Sequence, residues 1–123
     1  MPKLKFALFV FTVLLLSACG EDGPVNADAT VNGNWRLERA TRNNVETALL
    51  DGLYFEFRED GSLATNMMGN TADGSYVRDG ESITTTGVKI PMDYTIRLLT
   101  DSTLHLHSRY QGYQFGFELV KQE

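Results

Sequence analysis

The chain has 123 residues, 11 basic and 16 acidic side chains, a net charge of −5 and one cysteine. That length fits one small domain. The acidic balance, with no basic stripe, excludes the nucleic-acid binders that work by neutralising phosphates with Lys and Arg, and a lone thiol excludes an intrachain disulfide.

The chain opens with Lys3 and Lys5, then an apolar run from Phe6 to Leu16, then Ser17-Ala18-Cys19. Charge, a short apolar segment and small residues, in that order, mark a secretory signal. The run falls short of the ~20 apolar residues needed to cross a bilayer core of ~30 Å. Residues 1–18 are therefore read as a signal peptide. Leu16, Ser17, Ala18 and Cys19 resemble the lipobox of bacterial lipoproteins. The resemblance implies a diacylglyceryl group on the Cys19 sulfur, cleavage before Cys19 and acylation of the new amino end. It also implies a place in the bacterial cell envelope, and Gly20 after Cys19, where Asp is absent, resembles the pattern sorted to the outer membrane. Cleavage leaves nine basic against sixteen acidic residues, a charge of −7. An anionic lipid surface repels such a domain, so the acyl chains must hold it, and two or more hold stably where one is marginal.

Residues 19–32 then read as the acylated cysteine and a linker. Gly20 to Val31 is small, acidic and broken by Pro24, a composition that behaves as a flexible coil. Residues 33–123 form the domain, and their pattern is β: period-two alternation punctuated by turn residues. About eight strands are expected, over 34–42, 53–58, 62–68, 74–78, 82–86, 91–98, 103–109 and 113–120. In the last, Tyr113, Phe115, Phe117 and Leu119 share a face. Met92, Tyr94, Ile96 and Leu98 do the same, as do Leu53, Phe55 and Phe57. Asn44 to Leu50 competes as a single helical turn capped by Asn43 or Asn44.

The connections alternate in length. Glu59-Asp60-Gly61, Asp79-Gly80 and Thr100-Asp101-Ser102 are tight, and two of them carry the Asp-Gly hairpin signal. Residues 43–52, 69–73 and 87–90 are longer and hold Leu49, Leu50, Val88 and Ile90. In a meander, odd and even links lie at opposite ends. The expected fold is therefore an all-β, antiparallel up-and-down barrel with a closed base and a loop-ringed mouth.

Gly33 and Trp35 at the start of the first strand, Phe55-Glu56-Phe57, Asp60-Gly61, Gly74-Ser75-Tyr76, Asp79-Gly80 and the closing Phe115-Gly116-Phe117-Glu118-Leu119 resemble the small lipocalin-like, calycin-type domains of bacterial lipoproteins. The resemblance spans Gly33 to about Lys121. It implies that Trp35 closes the barrel base under a basic side chain from the last strand. Lys121 continues the inward phase of Leu119 and would stack on Trp35, where the larger family more often has Arg. It also implies a ligand carrier.

Little else in the chain points to chemistry. His105 and His107 share a strand face, but Leu104 and Leu106 hold the inward phase, which turns both histidines to solvent. No nucleophile elbow, phosphate loop or metalloprotease motif occurs, and Glu56 and Glu118 sit on outward phases. The chain is read as a monomer that is not an enzyme and carries no metal or cofactor. The candidate ligand wall is Phe55, Met67, Tyr76, Met92, Tyr94, Tyr110 and Tyr113, an apolar lining with phenolic donors that suits a small apolar or lipid-like ligand. An eight-stranded barrel can also be filled by its own side chains. The second reading is a protein-interaction module that presents its mouth loops to a macromolecule, for example a basic cell-wall-degrading enzyme that it inhibits. Because the linker joins at the base, the mouth is expected to face away from the anchoring membrane.

Overall fold

A computed structural model describes residues 29–122. The signal peptide and the lipobox residues Leu16, Ser17, Ala18 and Cys19 lie outside the described residues. Nine strands form one sheet: β1 Gly33–Arg42, β2 Val45–Glu46, β3 Tyr54–Phe57, β4 Ser62–Thr65, β5 Gly74–Asp79, β6 Ser82–Thr86, β7 Asp93–Leu99, β8 Thr103–Tyr110 and β9 Tyr113–Gln122. From β3 onward each strand pairs antiparallel with the next, and β9 returns to pair with β1. Eight strands thus close into an up-and-down barrel. The two-residue β2 stands outside the ring and pairs only with β1.

Alternation explains most of the interior. Leu104, Leu106 and Ser108 of β8 are buried, as are Phe55 and Phe57 of β3 and Phe117 and Leu119 of β9. Two bulges shift this phase. Between Leu37 and Arg39 the β1–β9 register slips, so Trp35 and Ala40, five residues apart, both face inward. Between Ile96 and Leu98 the β7–β8 register slips as well. The sequence turns Leu98 inward; the barrel buries Leu99 and leaves Leu98 half-buried. An extra residue in one strand sends everything beyond it to the opposite face.

Two local expectations are corrected. Asn44 to Leu50 contains no helical turn. Asn43 and Asn44 both take positive φ, 52° and 67°, and form the tight turn that folds β2 back on β1. Asn tolerates this conformation, and the Asn43 side-chain oxygen accepts the Gln114 N–H at 2.9 Å. The expected strand over 62–68 stops at Thr65. Met67–Gly69 forms a 3₁₀ turn in which Met68 has φ 50°. Asparagine side chains take over the ladder there. Asn66 accepts the Tyr54 N–H and donates to the Gly52 carbonyl, and Asn70 donates to the Thr65 carbonyl. Such side-chain bonds compete directly with strand pairing.

At the base, Val31 is 2% exposed and its carbonyl accepts the Trp35 indole N–H at 2.8 Å. The Ala29 carbonyl accepts from Arg78 at 2.6 Å. The last linker residues are thus packed against the barrel. Lys121 Nζ lies 5.2 Å from the Trp35 ring centroid, a cation–π contact. Gly33 makes room for it, since a Cβ at that position would meet Lys121 Cε at 2.6 Å.

Gly74 is a tighter constraint. A Cβ there would meet the Thr86 carbonyl oxygen at 2.4 Å and Val88 Cγ1 at 2.6 Å, so backbone must move. At Gly116 the obstacle is Thr41 Oγ1, the end of a rotatable side chain. Gly74→Ala is expected to cost about 1–3 kcal/mol, the range for overpacking, and Gly116→Ala less. Paired urea-denaturation midpoints check the order.

Candidate functional site: the barrel mouth

The interior is filled from the base to mid-height. Phe55, Tyr94 and Phe117 meet there, Phe55 and Tyr94 edge to face at 5.7 Å and Phe117 against Tyr94 at 5.7 Å. The space beside Phe55 and Tyr94 is about 10 Å³, barely the volume one water needs. Phe55 and Tyr94, both in the expected ligand wall, therefore act as the packed floor.

Above this floor lies a cavity of about 210 Å³. Phe117 forms its bottom. Met67 and Met92 line it from the β4–β5 and β6–β7 sides, and Tyr110, Tyr113 and Phe115 from β8 and β9. The loop after β2 supplies Leu49 and Leu50, and Ile90 and Met68 complete the rim. Met67, Met92, Tyr110 and Tyr113 of the expected wall are thus brought together. Outside Met1, every methionine of the chain lines this cavity, and thioethers adapt to irregular apolar shapes.

Tyr76 is elsewhere. Its hydroxyl donates to the Arg58 carbonyl at 2.7 Å and lies 2.7 Å from the Asn32 side chain, both at the base. Its ring sits edge-on to Phe57 at 4.9 Å. The sequence places it near the mouth because it follows a mouth loop. Gly74 already pairs with Leu63, however, and the Tyr76 N–H reaches the Gly61 carbonyl beside the β3–β4 turn.

Three lining groups carry little sequence signal. Arg42 ends β1 and looks like an ordinary surface cation. Gln111 sits in the tight Gln111-Gly112 turn, where both residues have positive φ. Met68 faces the rim only because of its 3₁₀ conformation. The sequence signal that was available is the apolar character of Leu49, Leu50 and Ile90 in the longer links.

No known family model matches this chain, and no curated protein and no solved structure matches it. The site must therefore be judged on its geometry. A wider groove of about 640 Å³ runs outside the barrel past Thr84, Asp93, Thr95, His107 and Arg109. It is more open and its lining is evenly polar and apolar, whereas the mouth is smaller, mostly apolar and more recessed, and apolar concavity is the usual character of ligand sites. His105 and His107 are half-buried on the outer face, and among the described residues no three His, Cys, Asp or Glu side chains cluster as metal ligands. Glu118 bonds Arg39 at 2.8 Å and Glu56 bonds Arg58 at 3.1 Å. Exposed pairs of this kind add little to stability.

Burial pushes the Tyr94 hydroxyl well above its ordinary value of 10.0; among the described residues its hydrogen-bond partner is the Met67 sulfur at 4.0 Å. Tyr76 is also raised, first by burial and then by Asp60 and Glu59. A raised tyrosine keeps its proton in the fold and loses it more readily when unfolded, so stability is full below pH ~10 and declines as pH rises past that value. Tyr94→Phe is expected to change stability at pH 7 by less than about 1 kcal/mol, since so weak a bond is lost. It should also delay unfolding above pH 10. Thermal melts from pH 8 to 12 check both.

Proposed function

We propose that the protein is a membrane-anchored, lipocalin-like lipoprotein whose barrel is a non-enzymatic binding module for a small apolar or lipid-like ligand. The observation that carries this reading is the recessed cavity of about 210 Å³ at the mouth, with an aromatic floor and a thioether and phenol wall. Its size falls below the ~300–1,000 Å³ usual for drug-sized ligands, which favours a single short tail or ring over a whole diacyl lipid. The anchor is Cys19, acylated at the lipobox Leu16-Ser17-Ala18-Cys19. Ala29–Asn32 packs at the base, which supports a mouth directed away from the membrane that holds the chain.

A second reading has its own support. Leu49 is 57% exposed and Met68 48% exposed beside the mouth. Loops that offer such side chains suit contact with a protein partner, including an inhibited cell-wall-degrading enzyme.

Native mass spectrometry of protein purified gently from membranes separates the two. A carrier shows a stoichiometric added mass that lipid extraction removes, and Phe115→Trp, which enlarges a wall residue, lowers its occupancy. A clean apo mass, with no uptake from a lipid extract, refutes the carrier and directs the search to the loops. Cys19→Ser should abolish acyl incorporation and move the protein from the membrane pellet to the soluble fraction; persistence in the pellet refutes the anchor.

A further inference from the structure

The lining of the mouth differs in charge from the rest of the molecule. The chain carries 16 acidic and 11 basic residues, yet among the described residues the cavity lining contains no carboxylate and one formal charge, that of Arg42. Arg39 and Arg58 hold carboxylates on the outer surface, at 2.8–3.3 Å. Arg42 has none within ion-pair distance among the described residues. Its guanidinium lies over the Tyr113 ring, 5.1 Å from the centroid. Stacking of this kind engages the planar face of the group. The N–H donors along its edge stay available, and that edge is the part that matches a carboxylate or phosphate.

Two further groups reinforce the same rim. The Tyr110 hydroxyl accepts a hydrogen bond from the Gln111 side chain at 3.3 Å, and its own proton has no acceptor among the described residues. Lys89 is exposed, and its Nζ lies 3.8 Å from where a Cβ on Gly69 would sit, beside the 3₁₀ turn that carries Met68.

We infer that the mouth selects anionic amphiphiles, with one short apolar tail in the cavity and an oxyanion head, carboxylate or phosphate monoester, held at the rim by Arg42 and Tyr110. This inference rests on the carrier reading and specifies its ligand class. The tail supplies affinity by leaving water for the Met67, Met92 and Phe117 surface. The head supplies selection, because a neutral or cationic head gains nothing from Arg42.

The test uses the full chain in neutral phosphatidylcholine nanodiscs, with isotope-labelled methionine methyl groups read by NMR. Met67, Met68 and Met92 then report from the cavity itself. Octanoate, octyl phosphate, octanol and octylamine are titrated separately. The expected result is a preference of about fivefold for an oxyanion over octanol, the scale of one exposed charge contact. The preference should shrink in high salt, fall to about one in Arg42→Gln and survive in part in Arg42→Lys. The same membrane is present throughout, so partitioning into lipid cancels in the comparison with Arg42→Gln. Octanoate against octyl phosphate separates the two head groups. Equal affinity for octanol and both oxyanions, or a preference that Arg42→Gln leaves intact, overturns the inference while the carrier reading stands. If none of the four shifts the cavity methionines, both fall.

Discussion

Phe55, Tyr94 and Phe117 come from β3, β7 and β9, strands spread around the barrel, yet their rings meet with centroids 5.7–6.4 Å apart. This layer spans the interior and divides it. Below it, Trp35, Phe57, Leu63, Leu104 and Leu119 fill the space to 1% exposure or less. Above it, the adaptable thioethers of Met67 and Met92 and the loop side chains leave room. Edge-to-face rings add about 0.5–1.5 kcal/mol beyond their buried area, so the layer stabilises the fold as well as setting the depth of the cavity. The cavity at the mouth is therefore shallow. It exists because the floor at mid-height is firm and the loops do not collapse onto it.

The loops are kept apart by asparagine. Asn43, Asn66 and Asn70 each replace a backbone partner in or beside a mouth loop, through Gln114, Tyr54 and Gly52, and Thr65 respectively. The Asn70 side-chain oxygen Oδ1 also accepts the Lys89 backbone N–H at 2.8 Å, which ties the β4–β5 loop to the β6–β7 loop. These bonds satisfy polar backbone without adding apolar bulk, so the rim is ordered and the cavity stays open. The same turns set Met68 and Lys89 at the opening.

Much of this was legible in the sequence because burial on one face forces period-two alternation. Strands β3, β8 and β9 follow it closely, and the alternating link lengths correctly separate base from mouth. The failures share one physical origin. Alternation reports which face a residue takes but not its height along the barrel, and it is blind to an inserted residue. Alternation turns Leu98 inward because nothing in Asp93-Tyr94-Thr95-Ile96-Arg97 announces the bulge. Alternation puts Tyr76 near the mouth because it follows a mouth loop, whereas the pairing of Gly74 with Leu63 and the early end of β4 at Thr65 set it at the base. Phe55 and Tyr94 take the inward face that alternation gives them but pack below the cavity, since whether neighbouring rings touch depends on packing between strands distant in sequence. Arg42 carried no signal at all: its position above an apolar cavity depends on the ring being closed.

That closure joins the first strand to the last. β1 and β9 match at eight positions, from Asn34 with Gln122 to Arg42 with Phe115, and Arg39 and Glu118, bonded across the seam, are 79 residues apart in sequence. Long-range pairing of this kind must overcome the loop entropy of nearly the whole domain before any contact rewards it, which slows folding. A chain emerging with its amino end first can form local hairpins early, but it cannot seal the barrel until the ten residues of β9 are free. Until then Trp35 and Leu37 lack their partners Lys121 and Leu119 across the seam. The order of the strands therefore acts as a timer, delaying closure until β9 is available.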